Sequence, residues 1–148
     1  MPASSGGLAT AEGTFVLDSW PVMEWLKGRQ PLAADFRALL ANARMRKTEL
    51  VISTINLGEI YYNCWNEWDE VRAEQVRLEF AELPIRVVHP TATDTHFAAR
   101  LKGRFKVSYA DAFAAVLAIE LNAPVMTGDR DFLKLKDVGV LSVEWLGK

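Results

Sequence analysis

Residues 109–132 read YADAFAAVLAIELNAPVMTGDRDF. Positions 109–121 hold only two charges, Asp111 and Glu120, and are otherwise apolar around nearly every side of a helical projection. That pattern predicts a helix buried over most of its surface. Asn122 and Ala123 interrupt it, a short apolar run 124–126 follows, and Asp129 and Asp131 come just past that run. A buried helix feeding a short apolar strand is the repeating unit of an α/β fold with a parallel sheet.

The same alternation extends over the rest of the chain. Apolar runs predict strands at 15–17, 49–52, 85–88, 124–126 and 140–143. Between them the spacing predicts helices at 20–27, 32–46, 54–68, 70–83, 93–103, 109–121 and 131–135. Gly28 and Pro31 separate the first two helices, and Pro84 and Pro90 bracket the third strand. Strands alternating with helices, joined by right-handed crossovers, place helices on both faces of one sheet. Residues 1–13, MPASSGGLATAEG, are small and nearly uncharged, which predicts a mobile tail. Residues 14–148 then form a single domain, with no internal repeat, linker or second unit.

Composition narrows the class. At 148 residues, 50% hydrophobic and 24% charged, the chain can bury a self-sufficient core, which excludes a disordered chain, a collagen and a coiled-coil rod. A single cysteine, Cys64, excludes an internal disulfide framework, and with only His89 and His96 beside it leaves little for a zinc site. No apolar run approaches the ~18 residues a membrane span needs, and the N-terminus lacks a charged segment followed by an apolar one. The expectation is a soluble cytoplasmic protein. A formal net charge of −2 means that any nucleic-acid partner must be met by local basic patches.

In a doubly wound sheet, ligands bind beyond the carboxyl ends of the strands, where the strand order reverses. Asp18 follows the first strand in VLDSW, and Asp129 follows the fourth in VMTGDRDF, with Asp131 two residues on. Glu59 lies early in the helix after the second strand, in STINLGEI, and Asp111 in the first turn of the helix before the fourth, in SYADAF. Each acid has a plain structural reading. Asp18 and Asp129 suit helix N-caps, Ser108-x-x-Asp111 resembles a capping box, and Glu59 falls on the polar side of its helix, away from Leu57, Ile60, Tyr61, Cys64 and Trp68. Caps alone do not require acids, because Ser, Thr or Asn serve equally well. What needs explaining is that acids gather at one sheet edge. A carboxylate at the mouth of a buried helix needs compensation, and like charges nearby raise one another's pKa. A divalent cation resolves both conflicts, and oxygen donors without His or Cys suit Mg²⁺ or Mn²⁺. With no Ser–His or Cys–His pair, no Walker loop and no GxGxxG, metal-assisted phosphodiester hydrolysis is the reaction class that remains.

VLDSW, INLGEI, SYADAFAAVLA and VMTGDRDF together resemble the PIN domain, and more narrowly the VapC-type toxins of prokaryotic toxin–antitoxin pairs, over about residues 15–145. The resemblance implies a Rossmann-like sheet of five parallel strands in the order 3-2-1-4-5. It implies an Mg²⁺- or Mn²⁺-dependent endoribonuclease, often homodimeric, that hydrolyses RNA through a metal-activated water and is inhibited by a cognate antitoxin reaching into the active-site groove. Asp18, Glu59, Asp111 and Asp129 match the acidic metal-binding and catalytic positions. Asp131 matches a further acid that some members use for a second metal or an outer role, and Ser19 and Thr127 match hydroxyl positions that hydrogen-bond ligand or substrate. Trp20-Pro21 departs from the small aliphatic residues usual there, which reshapes the groove's edge.

For the RNA itself the sequence offers Arg100, Lys102, Arg104 and Lys106 ahead of Asp111, Arg130 between two acids, and Arg44, Arg46 and Lys47 ahead of the second strand. Each group reads either as phosphate contacts or as a solvated face. Among five tryptophans, Trp20 beside Asp18 reads either as a base-stacking side chain or as packing. Trp65 and Trp68 suit a dimer or antitoxin surface. Two other readings compete with the nuclease. A non-catalytic or regulatory metal-binding module, of PIN or receiver type, would in receiver form need paired acids after the first strand and a lysine after the last. A haloacid-dehalogenase-like phosphatase would need an acid where Trp20 stands.

Overall fold

A computed structural model describes residues 8–147. Five strands form one sheet: β1 (Gly13–Leu17), β2 (Thr48–Ser53), β3 (Ile85–Val88), β4 (Val125–Thr127) and β5 (Val143–Trp145). All neighbours are parallel, as the alternation of elements predicts, and the order is β3-β2-β1-β4-β5, as the resemblance implies. Among the described residues, seven helices after β1 connect and flank the strands: α1 (Ser19–Leu26), α2 (Leu32–Arg44), α3 (Thr54–Glu67), α4 (Glu70–Phe80), α5 (Ala92–Phe105), α6 (Tyr109–Leu121) and α7 (Asp131–Asp137). None is long and apolar enough to cross a membrane.

The two-residue period of a strand sorts its side chains between two cores. Phe15, Leu17, Leu50, Ile52 and Met126 face one way and pack with residues of α1 to α4, among them Val22, Phe36, Leu39, Ile60 and Val76. Val16, Val51 and Val125 face the other way and pack with α5, α6 and α7, through Leu101, the alanines of α6, Phe132 and Leu135. Helix α6 is buried at every position from Asp111 to Ala118. Its alanines let it lie close on the sheet, where it touches β1, β2 and β4.

Two stretches differ from the sequence expectation. Strand β5 begins at Val143, whereas the apolar pattern puts it at 140–143. Gly139 turns with φ 77°, and the Val140 amide donates to the Leu135 carbonyl at 2.9 Å. Residues 138–140 thus close α7, and pairing starts only where the Val125 amide reaches the Ser142 carbonyl at 3.0 Å. The expected tail over 1–13 is shortened from its inner end. Residues 8 and 9 are helical, Leu8 is buried in the first core, and the Asn42 side-chain amide donates to the Ala9 carbonyl. Composition missed this because a single leucine supplies the anchor. Residues 1–7 lie outside the described residues.

The packing of α6 yields a stability prediction. Ala115→Leu forces extra methylenes against the sheet, at about 1–3 kcal/mol. Ala115→Gly leaves contacts nearly intact but weakens the helix by roughly 1 kcal/mol. Thermal melts followed by circular dichroism should place both below the parent, and a Leu variant that melts with the parent would contradict the close approach.

Candidate active site

The chain runs from β1 outward through β2 and β3, then returns to lay β4 on the other side of β1. That reversal leaves a crevice between the carboxyl ends of β1 and β4, where Leu17 pairs with Met126. Asp18 and Thr127 are the next residues on each strand, so strand pairing alone sets them side by side.

Asp18 is buried and serves as the N-cap of α1, its Oδ1 accepting the Ser19 amide at 2.7 Å. Its Oδ2 accepts the Thr127 hydroxyl at 2.7 Å. The Thr127 Oγ1 in turn accepts the Asp129 amide at 2.9 Å. One hydroxyl therefore ties the two strand ends together. Thr127 is fully buried, and its hydroxyl is engaged with both acids. The cap and the site coexist, because each carboxylate oxygen keeps a second lone pair.

Asp111 arrives from the opposite wall. Ser108 caps α6 by accepting the Asp111 amide at 3.1 Å. The Asn56 side chain, fully buried in α3, donates to the Ala110 carbonyl at 3.3 Å and ties α3 to this first turn. Asn56 escaped the sequence reading. Its signal was the i, i+4, i+8 series Asn56, Ile60, Cys64, all buried on one side of α3. Asp129 accepts the Asp131 amide at 2.9 Å and so shapes the start of α7.

Carboxylate oxygens of Asp18, Asp111 and Asp129 lie within 4.8 Å of one another. Burial pushes the Asp18 carboxyl up to about 7, with Glu59 and Asp129 adding to the rise and the Thr127 and Ser19 bonds opposing it. Asp111 is pushed up to about 8, first by burial and then by the charges of Asp18, Asp129 and Glu59. Such crowding favours protons or a cation between the acids. The donors are all hard oxygens, with no His or Cys among them, and so fit Mg²⁺ or Mn²⁺.

Glu59 stands beside this trio, where its Oε1 accepts the Ser19 hydroxyl at 2.5 Å. Asp131 also lines the groove, its Oδ1 paired with Lys134 at 3.1 Å. Asp18, Ser19, Glu59, Asp111, Asp129 and Asp131 all line one open groove of about 650 Å³. Arg104, Lys106 and Arg130 do not line it. The Arg104 guanidinium lies over the Phe105 ring at 5.7 Å, Lys106 closes α5 in a left-handed conformation, and Arg130 is an exposed residue ahead of α7. Arg46 and Lys47 sit at the amino end of β2, with Gly13 and Thr14, the opposite edge of the sheet. The cations that do line the groove are Lys27 and Arg29, just past α1, with Arg29 3.6 Å from Glu24.

Trp20 also lines the groove. Its six-membered ring covers Gly128 so closely that a Cβ there would lie 2.5 Å from Cζ2. The glycine of TGDRDF is thus matched to the tryptophan of VLDSW. Trp65 and Trp68 are exposed on and just past α3, with Arg72 5.6 Å above the Trp68 ring.

Comparison with known proteins agrees with this architecture. The family model described as PIN domain matches residues 15–138. No curated protein matches the chain by sequence. Among solved structures, VapBC2 from Rickettsia felis, bound to a DNA fragment from its promoter, matches with a TM-score of 0.68 at 17% identity, covering 88% of this chain and 97% of that one. VapBC-1 from nontypeable Haemophilus influenzae matches at 0.65 and 18% identity, covering 89% and 97%. The Mycobacterium tuberculosis toxin VapC20, described as cleaving the sarcin–ricin loop, matches at 0.66 and 17% identity, covering 84% and 95%. With the family match running from β1 through α7 and including all the clustered acids, the chain belongs to the PIN domain family.

Proposed function

We propose that the protein is a metal-dependent endoribonuclease and the toxin of a toxin–antitoxin pair. The convergence of three carboxylates from β1, β4 and α6 within 4.8 Å carries the reading. In it, Asp18, Asp111 and Asp129 hold the cation. A bound Mg²⁺ or Mn²⁺ supplies Lewis acidity at a phosphoryl oxygen and lowers the pKa of water. Glu59, fixed by Ser19, accepts a hydrogen bond from the attacking water. Asp131 takes an outer position on the same wall. Thr127 orients Asp18 and Asp129 from below. The toxin assignment rests on the likeness to VapBC complexes. A cognate antitoxin and a second copy of the chain are the expected protein partners, and the exposed Tyr62, Trp65 and Trp68 give such a partner an aromatic surface.

Purified protein should cleave RNA with Mg²⁺ or Mn²⁺ and stop in EDTA. Asp18→Asn and Asp111→Asn should lower the rate by about 100-fold or more with the fold retained. Cleavage that persists in EDTA sinks the metal mechanism, and metal uptake without cleavage favours a regulatory binding module instead. Thr127→Val removes the hydroxyl but little volume, and should weaken metal binding by about 10- to 100-fold in calorimetry.

The raised carboxyls also set a pH dependence. An acid whose folded pKa lies above its unfolded value binds its proton more tightly when folded. That contribution is complete below the unfolded value near 4 and is lost as pH rises through about 7 for Asp18 and about 8 for Asp111. The metal-free protein should therefore melt at lower temperature as pH climbs through this window. Asp111→Asn should flatten the fall, and saturating Mg²⁺ should reverse it at the upper end. A parent and an Asn variant with identical pH profiles would count against the buried cluster.

A further inference from the structure

Among the described residues, seven carboxylates line the groove, against only Lys27 and Arg29. A polyanion cannot be held there by bulk attraction, even with one or two cations bound, because phosphate contacts need local positive charge. Any nucleic acid needs a handle that is indifferent to charge. Among the described residues lining the groove, Trp20 is the only aromatic. It is half-buried, sits two residues after Asp18, and is seated on Gly128, one residue before Asp129. The indole is therefore braced by a backbone with no side chain and lines the same groove as the three clustered acids.

Resting on the nuclease reading, we infer that Trp20 is a stacking platform for an unpaired base beside the scissile phosphate, with Lys27 and Arg29 meeting the flanking phosphate. The substrate class is then single-stranded RNA or an unpaired loop, because a base locked in a duplex cannot present its face to the indole. Stacking on an aromatic side chain is sequence-tolerant, so Trp20 sets position along the strand more than base identity. Gly128 belongs to the device, since any side chain there would push the ring off its seat.

The test uses full-length protein, Mg²⁺ and a labelled oligoribonucleotide of about 10 nucleotides, single-stranded or annealed to its complement. Trp20→Ala should raise KM by about 5- to 100-fold, in line with the loss of one stacked base, and change kcat little. Trp20→Phe should recover most of the loss. Magnesium uptake by Trp20→Ala, measured with the metal alone, should match the parent. With few phosphate contacts, the salt dependence should be shallow, a log–log slope of about −0.7 per contact. An unchanged KM, equal binding of duplex and single strand, or loss of magnesium uptake in Trp20→Ala each overturns the platform, the last by showing that the ring only braces the Gly128 loop. If the parent cleaves nothing, the nuclease reading fails separately. Fluorescence anisotropy of the same oligonucleotide with parent and variant then decides the platform, and equal or absent binding overturns it.

Discussion

The Thr127 hydroxyl donates to the Asp18 carboxylate at 2.7 Å across 109 positions of sequence, and the rest of the site is arranged around that bond. It exists because β1 and β4 are parallel neighbours in which Leu17 pairs with Met126, one residue before Asp18 and Thr127. The same oxygen of Thr127 receives the Asp129 amide, so a single side chain orients acids from both strands. Ser19 adds Glu59 from α3, and Ser108 and Asn56 fix the turn that carries Asp111. Short polar side chains, each spending a hydroxyl or amide on a neighbour, do the positioning.

This arrangement costs stability. Two nearly buried acids held against a third raise one another's proton affinity, and a cavity of like charges opposes folding. The surrounding cores offset it. Fully buried side chains such as Phe36, Leu39, Phe132 and Leu135 each contribute about 1.5–3 kcal/mol. The conflict is confined to the crevice, while the helices on both faces stay apolar. Acids crowded in this way favour protons or a hard cation between them.

Much of this was legible in the residues. Helix α6 announced itself by being apolar all round, and the alternation of elements gave the parallel sheet, whereas its strand order came from the resemblance to the PIN domain. The sequence also placed Asp18, Glu59, Asp111, Asp129 and Asp131 at one edge, and all line the groove. Three-dimensional detail was less accessible. Val140–Leu141 looked like strand because apolar residues that close a helix and those that pair in a sheet have the same composition. The basic residues were the weakest reading, since Arg104, Lys106 and Arg130 are near acids in sequence but do not line the groove, whereas Lys27 and Arg29 reach it from past α1. The bond from Thr127 to Asp18 could not be told from its neighbours either, because its partner lies 109 positions away in sequence.

The sheet itself is unevenly joined. β1 meets β2 over four residue pairs but β4 over only two, and the carboxylates stand directly above that narrow joint. Side chains reinforce it from both directions, Thr127 toward Asp18 and Trp20 toward Gly128. Whatever draws the acids together also clamps the β4–β5 half to the rest of the molecule. Occupancy of the crevice and rigidity of that half are thus one equilibrium seen from two sides.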